Sequence, residues 1–307
     1  MTLEQLRIFV AVAERRHFTQ AAQDLCLTQS AVSAAIATLE RNLAQPLFDR
    51  IGRRVELTRA GLVLLTEARA ILRRADDAVR RLAELSDLLS GDLCLFGSNT
   101  VANYWLPPFM HRFRIDHPGV AVSLTIGNTE QALSAIQASA TDLALVEGTV
   151  TDPSLIIGSV PGDRLVLVVG RNHPWFGQPR IDLESLVTTP WVSRELGSGT
   201  RRLFEDCLRR HGVDPDSLPA PLVLPSGEAI KRAVSAGAGA AVLSDRIVVH
   251  EIALGLLHAI PTPCPPRPLH LLHHPARHIS RAAAAFAALV MKPIAPAIGH
   301  SKPGMVE

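Results

Sequence analysis

Between Thr28 and Thr38 the chain carries Gln29, Ser30, Ser33, Ala34 and Thr38 on one face of a helical pattern, and these side chains suit the reading of base edges. A glutamine pairs bidentately with adenine, hydroxyls serve either base and methyls touch the thymine methyl. The second half of the chain holds chemistry of another kind. Four times a strand-like run ends in a short hydroxyl, amide or glycine cluster that opens a helix: Ser98-Asn99-Thr100, Asn128-Thr129, Ser198-Gly199-Thr200 and Ser226-Gly227. Helix N-termini expose unpaired N–H groups and a partial positive charge, so several facing one cleft form an anion site. Ligands of open α/β sheets sit at the carboxyl ends of strands. One such cap says little, because Ser and Asn cap helices everywhere. Their repetition favours a small anionic ligand, with Arg194, Glu195 and Arg201 flanking the third cluster.

Other chemistries find less support. No nucleophile elbow, carboxylate pair or Walker loop is visible, and Ser198 has no His and acid partners near it in sequence, so no catalytic residue is assigned. His270, His273, His274 and His278 are close in sequence, but strand alternation sends neighbours to opposite faces, so neither a metal site nor a cofactor is expected. Cys26, Cys94, Cys207 and Cys264 lack CxxC spacing. They read as reduced, mostly buried thiols without a close reactive pair.

Length and composition agree with a soluble globular protein of two or three domains. The 307 residues are 47% hydrophobic and 20% charged, and 31 Lys+Arg against 29 Asp+Glu leave a net charge of +2. No global positive field announces nucleic acid, so any DNA contact must come from a local patch. No run of about 18 apolar residues occurs, and Glu4, Arg7 and Glu14 interrupt the N-terminal apolar pattern, so neither a membrane span nor a signal peptide is expected and the location is cytoplasmic.

The elements that position these residues follow the apolar periodicity. Residues 3–15 form an amphipathic helix with Leu3, Leu6, Phe9, Val10 and Ala13 on one side. From His17 to Asn42 two short helices join at Cys26-Leu27. Thr19 is expected to cap the first and Thr28 or Ser30 the second, and Val32, Ile36, Leu39 and Leu43 commit one face of the second to the core. Pro46 breaks this helix, and Asp49 to Thr58 reads as a hairpin turning at Ile51-Gly52. Arg50, Arg53, Arg54 and Arg59 make the hairpin a basic wing suited to phosphates or a minor groove, against the plainer reading of a solvated charged loop.

Thr58 then caps a helix running to Ser90, in which Leu65, Ala68, Leu72, Ala75, Val79, Leu82, Ser86 and Leu89 alternate spacings of three and four. Some 32 residues at about 1.5 Å each exceed what one small domain covers, so the seam is expected to dimerise rather than pack on its own chain. Beyond Gly91, apolar strands alternate with amphipathic helices, the sign of a parallel α/β sheet. Pro161-Gly162 is the expected crossing point between two lobes, and the CPPRP segment at Cys264 the expected return. The domains are then residues 1–58, residues 59–90 and residues 91–307. In the last, one lobe takes about 91–161 and 266–307, the other about 162–265.

On MTLEQLRIFVAVAE, FTQAAQDLCLTQSAVSAAIATLE and LFDRIGRRVELTRAG the chain resembles the LysR-type transcriptional regulators. On GSNTVANYWLPPFMHRF, GNTEQALSAI, DLALVEG, RELGSGTR and LPSGEAIKRAVSAGAG it is similar to the effector domains of regulators of carbon fixation and sulfur assimilation. The resemblance implies an all-α winged helix-turn-helix with a long linker helix, followed by a two-lobed α/β domain like type-II periplasmic binding proteins. It further implies an effector in the cleft, contacted at Ser98, Asn99, Thr100, Thr129, Ser198, Gly199 and Thr200. A homotetramer that binds double-stranded promoter DNA and changes its bending is implied as well, with RNA polymerase left open as a partner. An enzyme or a solute-binding protein is the rival use of such a domain. Two departures stand out. Ala34 follows Ser33 where many members carry Arg or Lys, which leaves more of the contact to Gln29 and the wing and suggests an A·T-leaning site. Cys26 occupies a turn that Gly or Asn would enter more readily.

Overall fold

The reciprocal bonding of Thr2 and Gln5, each side chain accepting from the other's amide, starts helix α1, Leu3–Arg15. The structure, a computed structural model, describes residues 1–51, 54–83, 91–148, 150 and 152–292, with the backbone alone at 50, 51, 54, 77 and 80–83. Leu6, Ile8, Phe9, Val12 and Ala13 of α1 are buried. Leu3, expected among them, is 43% exposed. As the first residue of the helix it lies where the apolar stripe runs past the packed core.

Helix α2, Phe18–Asp24, is capped by His17, whose Nδ1 accepts from the Gln20 amide at 3.4 Å. Thr19, the expected cap, sits inside the helix because α2 begins a residue before it. Helix α3, Gln29–Leu43, starts at Thr28, whose Oγ1 accepts from the Ala31 amide at 3.2 Å. Val32, Ile36 and Leu39 are buried, while the terminal Leu43 is 37% exposed. Strands β1, Phe48–Ile51, and β2, Arg54–Leu57, pair antiparallel with Ile51 opposite Arg54. The joining residues are therefore Gly52 and Arg53, one place later than expected and outside the described residues.

Thr58 starts α4, Arg59–Ala83, with its Oγ1 accepting from the Gly61 amide at 3.0 Å. The first three positions of the seam expected to face a partner, Leu65, Ala68 and Leu72, are occupied within the chain. Ala68 is fully buried in the core of α1 to α3, and Leu65, Ile71 and Leu72 pack against it. A heptad pattern records an apolar stripe but not which surface covers it. Leu62, Val63 and Val79 remain more than half exposed on α4. Leu82, Ser86 and Leu89 lie outside the described side chains.

The α/β part holds β3, Gly91–Ser98; α5, Asn99–Tyr104; α6, Leu106–Asp116; β4, Val120–Gly127; α7, Thr129–Gln137; β5, Leu143–Glu147; β6, Ile156–Asp163; β7, Leu165–Gly170; β8, Val192–Arg194; α8, Gly199–Arg210; β9, Leu222–Leu224; α9, Gly227–Ser235; β10, Ala241–Ser244; α10, Asp245–Ala253; β11, Leu257–Pro261; β12, Arg267–Leu272; and α11, Arg281–Met291. One sheet has the order β4-β3-β5-β12-β6, a second β10-β7-β11, and β8 pairs with β9. The expectation of a parallel sheet is only partly met. β3 runs parallel to β4 and β5, as helical crossovers require, and β8 parallel to β9. β12 is antiparallel to β5 and β6, and β7 to both its neighbours. The strands that leave and re-enter the first sheet do so without a crossover helix, which frees them to reverse direction.

β6 runs through Pro161 and Gly162 to Asp163, so the step between the two sheets falls at Arg164 rather than at Pro161-Gly162. The return runs through residues 262–266. Helix α10, capped by Ser244, and β11 were not anticipated from the sequence pattern.

Candidate functional site

Residues proposed to read bases lie at the start of α3. Thr28, Gln29, Ser30 and Ala34 are exposed and Ser33 and Thr38 half-buried. The Thr28 hydroxyl is already engaged, by the Ala31 amide and by Ser30 Oγ at 3.0 Å. Gln29 Nε2 donates to Ser33 Oγ at 3.1 Å, which holds the amide along the outer face. Sequence reading missed Arg41, whose Nη2 donates to Thr38 Oγ1 at 3.0 Å, so this face is less bare of cations than the alanine at position 34 suggests. The spacing of three along the helix could have found it. Arg50 and Arg54 stand on the paired strands with only their backbone described, Arg59 is exposed, and Arg53 lies outside the described residues.

Nine further candidates occupy strand ends and helix starts in the α/β part. Most are satisfied by the protein itself. Ser98 donates to the Glu147 carboxylate. Asn99 Nδ2 donates to the Gly127 carbonyl at 3.1 Å and to the Pro225 carbonyl at 3.3 Å. Asn128 exchanges hydrogen bonds with Gln131, each amide donating to the other's side-chain oxygen at 2.9 Å, and its Nδ2 donates to Leu196 O at 3.3 Å. Thr129 Oγ1 donates to Glu147 O at 3.2 Å. Thr200 Oγ1 accepts from Arg267 Nη1 at 2.9 Å. Ser226, half-buried, caps α9 by accepting from the Ala229 amide at 3.4 Å. Gly199 lies so close to β5 that a Cβ would run into the Glu147 carbonyl oxygen and stand 2.7 Å from Thr129 Oγ1.

Two hydroxyls remain. Thr100 Oγ1 and Ser198 Oγ are buried, in residues 3% and 2% exposed, and have no hydrogen-bond partner. Ser198 precedes α8 without capping it, so the first N–H groups of that twelve-residue helix receive no side-chain oxygen from it. A buried unpaired hydroxyl costs about 1–3 kcal/mol, so each of the two is a polar group that the protein's own bonds leave unsatisfied.

Charge at these strand ends comes from Arg267, Glu147 and Asp163, which sequence reasoning did not single out, and from Arg194, Glu195 and Arg201, which it did. Arg267, 2% exposed, forms a fork on Asp163 and reaches Glu147 Oε1 at 3.7 Å, while Ser244 donates to Asp163. Burial alone would make the cation costly, but Glu147 and Asp163 outweigh that and hold the guanidinium more firmly charged than usual. The signal was an acid closing the apolar run LALVE and a lone arginine among prolines and leucines. Arg194 forks onto Glu195 at 2.7 and 2.9 Å. Arg201 pairs with Glu205 at 2.6 Å. The histidines are held apart: His270 bonds Ser159 Oγ at 2.7 Å, and the His274 ring accepts from Ala276 at 3.2 Å. Among the described residues no three His, Cys, Asp or Glu group so as to hold a metal ion. No helix of the described residues is long and apolar enough to cross a membrane.

Both parts of the chain match known families. Residues 3–62 match the bacterial regulatory helix-turn-helix protein, lysR family, and residues 86–292 match the LysR substrate binding domain. The chain belongs to the LysR family. It is a DNA-binding transcriptional regulator with an effector-binding domain, and not an enzyme. Among LysR-family relatives, a probable RuBisCO transcriptional regulator of Trichormus variabilis is 35% identical over 93% of this chain and 86% of its own. Full-length CbnR complexed with its target DNA is 22% identical, covers 94% of this chain and 99% of that one, and superposes with a TM-score of 0.70, which shows the shared fold. The regulatory domain of Synechocystis PCC6803 CcmR, in complex with 2-PG, is 30% identical over 66% of this chain and 96% of that one, with a TM-score of 0.59.

Proposed function

We propose that this LysR-family regulator binds promoter DNA through α3 and its wing, and that a small anionic metabolite held between the two sheets sets how it bends that DNA. The observation that carries the effector half is the pair of buried, unpartnered hydroxyls, Thr100 Oγ1 and Ser198 Oγ, amid neighbours that are all internally bonded. Two carboxylates, Glu147 and Asp163, already face one guanidinium there. A ligand's negative charge is therefore met by the N–H groups at the starts of α7 and α8 rather than by a spare cation. Complex formation between the CcmR regulatory domain and 2-PG supports a small-molecule effector in this class of domain. Base readout falls to Gln29, Ser30 and Ser33, with Thr28, Ala34 and Thr38 beside them, and phosphate affinity to Arg50, Arg53 and Arg54. The exposed apolar side chains of α4, Leu62, Val63 and Val79, then serve a second copy, in a dimer or a tetramer. A reader of promoter DNA works in the cytoplasm, where RNA polymerase is a further partner.

Each half has its own experiment. Melting is measured with 2-PG, other organic acids, phosphorylated sugars and sulfur oxyanions, since a ligand at about 100 times its Kd adds roughly 2.7 kcal/mol. The effector reading fails if no anion stabilises the protein, or if Thr100→Val and Ser198→Ala retain the shift. Gel shifts against the protein's own upstream region test the DNA half. Gln29→Ala is expected to cost about 1–3 kcal/mol at one base position, and Arg53→Ala to lower the salt slope by about one. Unchanged affinity and slope would sink the assignment.

A further inference from the structure

Between Arg16 and Arg50 the sequence holds a single Lys or Arg, Arg41, in the last turn of α3. Ser30, Ala34, Ala37 and Arg41 follow one another at spacings of three and four and so form a stripe down that helix. All four are exposed, while Val32, Ile36 and Leu39 are buried on the opposite side. The stripe therefore carries small groups until it reaches Arg41.

The arginine is turned back over the stripe. Its Nε donates to the Ala37 carbonyl at 3.4 Å and its Nη2 to Thr38 Oγ1 at 3.0 Å, which brings the guanidinium about one turn towards the start of the helix. Among the described residues Nη1 bonds nothing and Arg41 forms no ion pair. The nearby acids are engaged elsewhere: Glu40 Oε1 accepts from the Leu47 and Phe48 amides at 2.7 and 3.3 Å, and Asp24 pairs with Arg15 at 2.5 Å. A cation in the last turn suits the helix dipole, but this guanidinium is folded away from the last carbonyls and onto the outer face. Its charge is left for something outside the chain.

From this geometry we infer that Arg41 is a further DNA-contact residue, holding a backbone phosphate at the edge of the groove that α3 enters, with Thr38 as its positioning residue. The contact presupposes that α3 enters the major groove, as proposed above. Distance decides between a phosphate and a base. Arg41 stands about 18 Å along the axis from Gln29, and its guanidinium, one turn back, about 13 Å, at roughly 1.5 Å per residue. The major groove is about 12 Å wide and base edges are met by the first residues of a recognition helix, so a group that far along faces the strand backbone. The donors agree. Nε and Nη2 are already engaged, and Nη1 alone cannot make the two-nitrogen fork that reads guanine, whereas one charged N–H suffices for a phosphate oxygen. Arg41 thus returns to the stripe, two turns further on, a charge that Ala34 withholds.

Binding of the full-length protein to a duplex of its own upstream region and to an unrelated duplex is measured between about 50 and 200 mM salt. For each recognition helix engaged, Arg41→Gln is expected to reduce the slope of log K against log salt by about 0.9 on both duplexes alike, so its disadvantage shrinks about three- to fourfold across that range. Arg41→Lys serves as the second variant: it keeps the charge and should keep the slope. Methylphosphonates placed one phosphate at a time through the upstream duplex should weaken the parent at a phosphate to which Arg41→Gln is indifferent. An unchanged slope in Arg41→Gln would overturn the inference, and so would a loss confined to one base position, which would make Arg41 a reader of bases. Gln29→Ala separates this contact from the reading beneath it. If Gln29→Ala weakens binding and Arg41→Gln does not, only the arginine's contact is wrong; if neither does, α3 is not the element that enters DNA.

Discussion

Arg267 and Thr200 are joined at 2.9 Å, Nη1 to Oγ1, and the remaining guanidinium nitrogens hold Asp163. One buried side chain thus fixes the end of β6, the start of β12 and the start of α8. Its removal leaves Asp163 and Glu147 buried without a cation, a loss of about 3–5 kcal/mol. Arg267→Met is expected to lower the denaturant midpoint accordingly with little change in slope. Arg267→Lys keeps the charge but not the fork and should fall between the two. A methionine variant as stable as the parent would show that the cluster contributes nothing net.

The two unpaired hydroxyls predict effects of opposite sign in two measurements. Without ligand, Thr100→Val and Ser198→Ala remove a buried donor that bonds nothing, so each should leave stability unchanged or raise it by up to about 1 kcal/mol. With a stabilising anion present, the same variants should lose the melting shift. A hydroxyl that served only the fold would show the reverse pattern: lower stability alone and a shift of full size.

How much of this was legible in the sequence differs by element. The helix-turn-helix was, because Val32, Ile36 and Leu39 repeat at the period of a helix and Thr28 marks its start, both local properties. The helix ends at Leu3 and Leu43 were not, since periodicity does not say where neighbouring helices stop. The seam on α4 was visible as a stripe, but Ala68 and Leu72 are covered by α1 to α3, and only the fold decides which surface covers a stripe. The capped strand ends were readable one by one. That Ser98 and Thr129 spend their hydroxyls on Glu147 while Thr100 and Ser198 do not depends on Glu147, Asp163 and Arg267, which come from distant strands. The expectation of mostly buried thiols holds only for Cys207, since Cys26 is exposed and Cys94 and Cys264 are half-buried, and burial too is decided by the fold.

Arg194 and Glu195 give a pH dependence. Burial would raise the Glu195 carboxyl, and the two hydrogen bonds and the charge of Arg194 outweigh it, so the group is held below the usual carboxylate range. A depressed carboxyl contributes stability that is present above its unfolded pKa and lost as pH falls through its folded one. Glu195→Gln should therefore be less stable than the parent at neutral pH, and the gap should close below about pH 4. A gap constant from pH 7 to about pH 3 would mean that the pairing is not what the carboxylate contributes.

Cys26 tests the turn of the helix-turn-helix. Its φ is 54°, in the left-handed region, and it stands where the Leu27 amide reaches back to Ala22 O at 2.8 Å and its own amide to Gln23 O at 3.1 Å. This is the helix ending at which glycine is ordinarily found. A side chain there costs about 1–2 kcal/mol, and glycine returns part of that gain through the greater freedom of the unfolded chain, about 0.5–1 kcal/mol. Cys26 is exposed, so little packing is lost on replacing it. Cys26→Gly is expected to stabilise the N-terminal helices by about 0.5–1 kcal/mol, and Cys26→Val, branched at Cβ, to destabilise them. Denaturation followed by a probe in α1 to α3 reads both, and a glycine variant less stable than the parent would mean that the sulfur makes a contact worth more than the strain it carries.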